Sequence, residues 1–270
     1  MSAPLEAPGV LIGSHVPSAD PVAEAAARGA QVAQVFLSAP RAWKAPRERA
    51  DAAALRAGGL PLYVHAPYLV NLATDDARVR ERSRAVVEQT CAAAGAVGAR
   101  GVVVHGGSVG VDGDTERGLA NWRGALERLE TDVPILIENT AGGRGAMARH
   151  VEALDRLFCA LDGLEVGFCL DTCHAHAAGE PLEGLVERLL AVTGGIDLVH
   201  ANDSKDPAGS GRDRHENLGD GAIGDTALVE VIRAAGAPVV VETPGGAAAH
   251  AADVAWLRAQ LQPRRRAQRS

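Results

Sequence analysis

Short apolar runs rich in β-branched residues recur along the chain and alternate with longer amphipathic stretches. Each run has the length of a strand that is buried on both faces of a parallel sheet. The eight runs are VLIGS (10–14), VAQVFL (32–37), LYVH (62–65), GVVVH (101–105), PILIE (134–138), VGFCLD (166–171), IDLVHAND (196–203) and PVVVET (238–243).

The stretches between the runs show the periodicity of amphipathic helices. In residues 76–97, for example, Val79, Val86, Ala93 and Val97 fall on one stripe, and arginines lie off it. Similar stretches occupy 115–130, 147–162, 181–193, 225–235 and 249–261. Eight strands alternating with helices predict a single α/β domain, a (β/α)₈ TIM barrel, and a doubly wound open sheet is the alternative.

No shift in composition divides the chain, so we expect one barrel domain over residues 1–262. The last eight residues, PRRRAQRS (263–270), form a basic segment. We expect this tail to be disordered and solvated, and contact with a DNA backbone is the alternative.

Composition narrows the class of protein. The chain has 270 residues, 47% of them hydrophobic, and a formal net charge of −7, which argues against nucleic-acid binding through bulk charge. The four cysteines accompany neither a secretory signal nor an apolar run of membrane-spanning length. We therefore expect a cytoplasmic protein with reduced thiols, no membrane partner and a monomeric state.

Six consecutive strand candidates end in a histidine or a carboxylate. These residues are His65, His105, Glu138, Asp171, His200 and Glu242. The carboxyl ends of barrel strands meet at one mouth, where active sites lie, so we expect a metal cluster at this C-terminal mouth. His174 is expected in the turn that follows Asp171, and Asp213 and His215 lie in the loop GSGRDRHENLGDG (209–221).

One histidine at a strand end is usually a hydrogen-bonded rim residue. Nine such side chains in one mouth are different, because burying their charges without partners costs several kcal/mol each, and cations are the simplest compensation. Imidazole and carboxylate ligands suit Zn, Mn or Fe, and nine of them suit two or three ions. Cys173 competes as a ligand, His15 is a candidate for lining the pocket, and His176 is expected to pack locally.

These motifs resemble those of endonuclease IV, the apurinic/apyrimidinic (AP) endonucleases of DNA base-excision repair. The resemblance extends from LIGSHV (11–16) to VVVETP (239–244). Its most specific parts are HAPYLVNLA (65–73), VVHGGS (103–108), IENTAGG (137–143), LDTCHAHAAG (170–179), HANDSKD (200–206) and GSGRDRHENLGDG (209–221).

The resemblance implies a barrel with a trinuclear zinc centre, in which Mn²⁺ or Fe²⁺ could replace Zn²⁺ at some positions. It assigns His65, His105 and Glu138 to one ion, Glu138, Asp171, His200 and Glu242 to the second, and His174, Asp213 and His215 to the third. The implied enzyme is a zinc-dependent AP endonuclease that cleaves 5′ to abasic sites, leaves a 3′-hydroxyl and a 5′-deoxyribose phosphate, and trims blocked 3′ ends. Glu138 is the expected catalytic residue, which positions the attacking hydroxide.

The implied partner is double-stranded DNA with abasic sites or blocked 3′ ends. By resemblance, Tyr68 and Arg41 are side chains that contact the DNA. Without the resemblance, Tyr68 is equally well an ordinary rim aromatic and Arg41 a solvated loop charge. The loop before Arg41 departs from the family, because Ser38-Ala39-Pro40 stands where members often carry Lys-Asn.

Two other functions are compatible with parts of this pattern. A sugar isomerase or epimerase on the same barrel also uses histidines and carboxylates with a divalent metal, but it needs fewer ligands. The pair Asp213 and His215 argues against it, because this pair supplies a third ion. A non-catalytic damage-binding or metal-binding protein is the second alternative, and the intact set of nine ligands argues against it.

Overall fold

Eight parallel strands pair in one closed ring in the computed structural model, which describes residues 10–262. The strands are β1 (Ile12–His15), β2 (Ala33–Val35), β3 (Leu62–His65), β4 (Val102–His105), β5 (Ile135–Glu138), β6 (Val166–Asp171), β7 (Leu198–His200) and β10 (Val239–Val241). Their order around the barrel is β1-β10-β7-β6-β5-β4-β3-β2. The predicted (β/α)₈ barrel is confirmed, and the open sheet is wrong. The predicted tail at 263–270 lies outside the described residues.

The seventh apolar run ends earlier as a strand than its sequence predicts. The barrel strand β7 stops at His200, and the chain then forms a small antiparallel hairpin from β8 (Asp203–Ser204) and β9 (His215–Glu216). The buried Asp203 carboxylate accepts hydrogen bonds from the backbone N–H groups of Gly219, Gly221 and Ile223. These bonds fold the polar segment that follows β9 back onto the base of the hairpin.

Nine helices accompany the strands within residues 10–262. They are α1 (Pro21–Ala27), α2 (Ala52–Ala57), α3 (Ala77–Val97), α4 (Thr115–Leu126), α5 (Val151–Ala160), α6 (Thr172–Ala178), α7 (Leu185–Thr193), α8 (Asp225–Ala235) and α9 (Ala247–Leu261). The six amphipathic predictions correspond to α3, α4, α5, α7, α8 and α9. The other three helices are shorter, with seven residues or fewer, and so give little periodic signal.

The longest helix, α3, shows why the predicted boundaries hold. The Asp76 carboxylate accepts hydrogen bonds from the N–H groups of Arg78 and Val79 at the helix start. Gly98 ends the helix in the left-handed region, at φ 71°, which glycine adopts without a steric penalty. A side-chain cap therefore begins the helix, and a glycine whose N–H binds the carbonyl groups of Ala94 and Gly95 ends it. No helix within residues 10–262 is long and apolar enough to cross a membrane.

The barrel interior is filled by one buried side chain from each of seven strand segments. These are Val32, Tyr63, Val103, Leu136, Cys169, Leu198 and Val240. Successive side chains of a strand alternate between faces, so the residue two positions further on also points inward, one layer nearer the mouth. Those seven residues are Gln34, His65, His105, Glu138, Asp171, His200 and Glu242. Strand alternation therefore converts the linear pattern into a ring of polar side chains.

The barrel closes tightly at Gly13 of β1, which predicts a large effect of one methyl group. A Cβ atom at this position would overlap the carbonyl oxygen of Val32. We expect Gly13→Ala to lower the free energy of unfolding by about 3 kcal/mol or more, since backbone cannot move aside cheaply in a packed core. Urea denaturation followed by circular dichroism measures this change.

Gly124 in the interior of α4 is the matched control. A Cβ atom there would have no neighbour within 4 Å, and alanine favours the helix over glycine by roughly 0.5–1 kcal/mol. Gly124→Ala should therefore leave stability unchanged or raise it. Equal effects of the two substitutions would contradict the packing assigned to Gly13.

Candidate metal centre

Glu138 lies at the centre of the ring and is completely buried. Its Oε2 lies 3.1 Å from His65 Nε2 and 3.2 Å from His105 Nε2. Its Oε1 lies 3.0 Å from His200 Nδ1. The two carboxylate oxygens therefore face two different groups of histidines, so Glu138 could serve as a ligand in both groups.

The second group gathers around His200, which is also completely buried. His200 Nδ1 lies 3.3 Å from Glu242 Oε2 and 4.0 Å from Asp171 Oδ2. Potential ligand atoms of Glu138, Asp171, His200 and Glu242 all lie within 4.8 Å of one another. Strands β5, β6 and β7 each supply one member of this group, and Glu242 directly follows β10.

The third group combines a helix with the β8–β9 hairpin. His174 Nε2 and His215 Nε2 lie 3.2 Å and 3.0 Å from the same oxygen, Oδ1 of Asp213. His174 lies in the first turn of α6 rather than in an irregular turn, and the Asp171 Oδ1 atom accepts a 2.7 Å hydrogen bond from its N–H. Asp171 thus caps the helix that carries His174, and its Oδ2 points toward the second group.

Close backbone packing holds the loop that carries Asp213. Gly211 N donates a 2.7 Å hydrogen bond to Ala177 O at the end of α6, and Gly209 N donates one of 3.0 Å to His176 O. A Cβ atom at Gly142 would overlap the Gly211 carbonyl oxygen. This contact therefore needs glycine at position 142, and the packing of the loop brings Asp213 to His174 although 39 positions separate them in the sequence.

Backbone carbonyl groups orient three of the five histidines. The Nδ1 atoms of His65, His174 and His215 lie 2.7, 2.9 and 3.2 Å from the carbonyl oxygens of Ala66, Asn139 and Glu242. Because a carbonyl oxygen only accepts, each Nδ1 carries a proton, and in the neutral imidazole the lone pair lies on Nε2, which faces the site. The ring orientations therefore suit metal binding.

The histidines and carboxylates of the cluster stabilise one another's charged forms. Burial raises the pKa of Glu138, but the facing His200 and His105 outweigh it and hold the pKa well below its usual range. Burial lowers the pKa of His174, but Asp171 and Asp213 outweigh it and raise that pKa well above its ordinary value. Burial has the same opposing effect at His215, where Asp213 and Asp171 nonetheless raise the pKa to about 9.

The donor set fits divalent metal ions. His215 Nε2 is buried and, although it lies 3.0 Å from Asp213 Oδ1, it makes no hydrogen bond of regular geometry within the described residues. Four carboxylates and five imidazoles meet here, and such ligands bind Zn, Mn or Fe without any thiolate. Bound cations would satisfy the orphaned nitrogen and replace the protons that otherwise balance the carboxylates.

The other chemical candidates near the mouth have different surroundings. Cys173 Sγ also lies within ligand distance of Asp171 and His215, but burial raises the pKa of its thiol to about 12. Cys169 lies one layer deeper in the barrel interior. His176 binds locally, with Nε2 3.1 Å from Asp206 O. His15 lines the site, with Nδ1 3.2 Å from Glu242 Oε1.

The two expected DNA contacts lie side by side at the rim. Tyr68 is 46% exposed and stacks on the His105 ring, with centroids 5.7 Å apart. Its N–H donates a 2.9 Å hydrogen bond to Pro40 O, which fixes the loop immediately before the exposed Arg41. The divergent segment Ser38-Ala39-Pro40 therefore joins the two residues and also lines a cavity of about 710 Å³ beside the mouth.

Three side-chain amides belong to the site but were not predicted from the sequence. Asn139 Nδ2 and Oδ1 bind the backbone of Asp171, and Asn202 Nδ2 donates a 2.7 Å hydrogen bond to Asp171 Oδ2. The third, Gln34, contacts Glu242 and His200. Amides give no ionisable signal in a sequence. Gln34 could have been found by extending the inward alternation to β2, where it follows Val32 by two positions.

The raised pKa of His215 predicts how the metal-free protein responds to pH. A histidine whose pKa rises from 6.5 to about 9 on folding stabilises the fold fully below pH 6.5, and this contribution is lost as pH rises through about 9. We expect the melting temperature in the presence of a chelator to fall between pH 6.5 and 9. Differential scanning fluorimetry measures it.

Zinc-loaded protein and His215→Gln provide the comparisons for this experiment. Bound zinc requires neutral imidazoles, so the loaded protein should lack this fall, and His215→Gln should reduce it in the metal-free state. A melting temperature of the metal-free protein that is flat or rises between pH 6.5 and 9 would contradict the charge state assigned to the cluster.

Comparison with known proteins agrees with this geometry. The family model described as a xylose isomerase-like TIM barrel matches residues 22–260. Probable endonuclease 4 of Mycobacterium tuberculosis is 57% identical over 234 residues, which cover 87% of this chain and 93% of that protein.

Solved structures give the same result at the level of fold. Endonuclease IV from Thermus thermophilus superimposes with a TM-score of 0.82 and 33% identity, covering 93% of this chain and 98% of that one. A D-tagatose 3-epimerase-like protein, with a TM-score of 0.75 and 21% identity over 92% of this chain and 97% of its own, shares the fold alone. With relatives at these identities over nearly the whole chain, the protein belongs to the endonuclease IV family.

Proposed function

We propose that this protein is a DNA repair endonuclease that hydrolyses the phosphodiester 5′ to abasic sites through a trinuclear zinc centre. The products are a 3′-hydroxyl and a 5′-deoxyribose phosphate, and the same site trims blocked 3′ ends. The observation that carries the proposal is the convergence of nine donors in three groups around Glu138. The names of the relatives, endonuclease 4 and endonuclease IV, support it.

Each of the three groups holds one ion in this proposal. His65, His105 and Glu138 hold the first, Glu138, Asp171, His200 and Glu242 the second, and His174, Asp213 and His215 the third. Glu138 belongs to both the first and the second group and would serve as a ligand in each. Asp171 links the second group to the third, because its Oδ2 lies 3.7 Å from His215 Nε2.

The chemistry requires a nucleophile at neutral pH and compensation of negative charge. Bound divalent ions lower the pKa of water and offset the charge on phosphate and on the leaving oxygen. The chain's own contribution is orientation, since Glu138 is fixed between histidines of two groups and positions the attacking water. Attack at phosphorus breaks its bond to the 3′ oxygen, which leaves as the 3′-hydroxyl.

The rim of the mouth suits a distorted duplex. An abasic nucleotide lacks base stacking, so turning it out of the helix costs little and provides selectivity. Tyr68 supplies an exposed ring that is held in place by its stacking on His105, and Arg41 supplies a positive charge in the adjoining loop. Lys44 and Arg47, both exposed, line the cavity beside this loop and favour the DNA backbone despite the net charge of −7.

A sugar isomerase or epimerase is the alternative on the same fold. The similarity to an epimerase-like protein is one of fold, and fold alone does not decide function. The group of His174, Asp213 and His215 provides ligands beyond the need of a single-metal isomerase. This group favours phosphodiester hydrolysis.

Substitution of Glu138 tests the activity. We expect the protein to nick a duplex with one tetrahydrofuran abasic analogue, without added magnesium, on the 5′ side of the analogue. Glu138→Gln should lower the single-turnover rate by about 100-fold or more, because it removes the charge shared by two groups. The analogue cannot undergo β-elimination, so strand cleavage reports hydrolysis.

Cys173→Ala is the control for Glu138→Gln. This thiol lies in the same cluster but outside the nine proposed ligands, so its loss should leave cleavage and zinc content close to wild type. If zinc-loaded wild-type protein left the strand intact, the proposed endonuclease activity would be wrong. Loss of zinc in Cys173→Ala would instead make the cysteine a ligand.

Substitution of Tyr68 tests the DNA contact. Base–aromatic contacts contribute roughly 1–3 kcal/mol each, so Tyr68→Ala should weaken binding to the abasic duplex by about tenfold or more. Fluorescence anisotropy measures this affinity. Tyr68 is changed in the Glu138→Gln protein, and a chelator is added, so that the DNA is bound but not cleaved. Tyr68→Phe keeps the ring and should bind like the parent, and equal affinities of the alanine and phenylalanine variants would count against the contact.

A further inference from the structure

Gln34 is the only member of the inward-facing ring of seven residues, within the described chain, whose side chain cannot ionise. It lies on β2, and its side chain is completely buried. A buried amide without partners costs free energy, so its contacts show what it does in the site. All three of its close side-chain partners lie at the mouth.

Both polar atoms of the Gln34 amide contact polar atoms of the mouth. Nε2 lies 2.6 Å from Glu242 Oε1 and 3.0 Å from His15 Nδ1. Oε1 lies 2.8 Å from His200 Nε2. One Nε2 proton is donated to the carboxylate, the other faces His15 Nδ1, and the carbonyl oxygen accepts from His200.

The opposite orientation of the amide is excluded by its neighbours. If the amide were turned over, its oxygen would face the Glu242 carboxylate at 2.6 Å, and two acceptors at that distance repel. Its NH₂ group would then face His200 Nε2 and require a lone pair there, which would move the imidazole proton to Nδ1. That proton would point at Glu138, 3.0 Å away.

We infer that Gln34 is a positioning residue that fixes His200 in the tautomer with a free Nδ1 lone pair directed at Glu138 and Glu242. His65, His174 and His215 present Nε2 because backbone carbonyls hold their Nδ1 protons. His200 presents the other nitrogen, and its proton is held by a side chain. Gln34 also holds the Oε1 atom of Glu242, so that Oε2 faces His200 at 3.3 Å.

This inference rests on the proposed metal centre and deepens it. Gln34 contacts two ligands of the second group at once, His200 and Glu242. Its side-chain hydrogen bonds within the described residues involve neither the first nor the third group. Partners that orient a ligand typically change metal affinity by about 10- to 100-fold when they are removed. The effect of Gln34 should therefore fall on one of three ions.

Gln34→Met tests the role, because methionine is similarly long and unbranched but has neither the amide donor nor its acceptor. Zinc affinity is measured by competition with a chromophoric chelator. We expect one ion per chain to bind about 10- to 100-fold more weakly, with the other two unchanged. Gln34→Glu should also weaken the binding of that ion, because it places an oxygen against the Glu242 carboxylate.

Val35→Ala is the control for a general loss of stability. Val35 is the next residue of β2, is 1% exposed and packs on the opposite face, away from the histidines. Its truncation should lower the stability of the metal-free fold without selectively weakening one ion. Urea denaturation of both metal-free variants allows their zinc affinities to be compared at known stability.

Nuclear magnetic resonance provides a readout that a purely structural role would not change. In zinc-loaded protein with ¹⁵N-labelled histidine, the His200 ring should carry its proton on Nε2 in wild type and Val35→Ala, with its assignment made by loss of the signal in His200→Ala. Gln34→Met should expose this proton to exchange and remove its slowly exchanging signal. Unchanged zinc affinities and an unchanged His200 signal in Gln34→Met would overturn the inference while leaving the metal centre in place. Wild-type protein that binds no zinc would overturn both.

Discussion

The buried charge of Glu138 is the constraint on which the mouth of this barrel depends. A carboxylate with no solvent exposure needs partners, and histidines from three strands and one helix supply them at 3.0–3.3 Å. Those histidines in turn need Asp171, Asp213 and Glu242 to balance their protons. Removal of Glu138 would take a common partner from the buried His65 and His200 at once, which is far more costly than losing a surface ion pair.

The fold meets this constraint with two simple devices. Parallel register places equivalent positions of neighbouring strands at one level, so that His105 is paired with Glu138 and Asp171 with His200. Alternation along each strand then turns every second side chain inward, toward the mouth. Register and alternation do not place the third group. The hairpin after β7 brings Asp213 and His215 over the ring through glycine contacts with the end of α6.

The same barrel carries other chemistry in proteins that share only its fold, so the mouth residues decide what this chain does. Here the decisive feature is the linkage of three groups of ligands by shared carboxylates. Glu138 joins the first and second groups, and Asp171 joins the second and third while capping α6. A phosphodiester is an anion whose oxygens gain charge during hydrolysis, so it would match a linked set of bound cations better than a neutral sugar does. In the proposed function, the exposed Tyr68 and Arg41 form the part of the rim that contacts an altered duplex.

The eight strands, the barrel and six of the seven inward residues could be predicted from the sequence, because strand length, β-branched composition and the terminal histidines and carboxylates are local signals. The sequence also placed Asp213 and His215 in one loop. The tertiary structure alone decided that α6 begins at Thr172, that a hairpin carries His215, and that Gln34 belongs to the ring. A seven-residue helix has too few turns to show a period, and an amide carries no ionisable signal. Which nitrogen each histidine presents depends on partners such as Asn139 O and Gln34 Oε1, which are distant in sequence and meet only when the barrel closes.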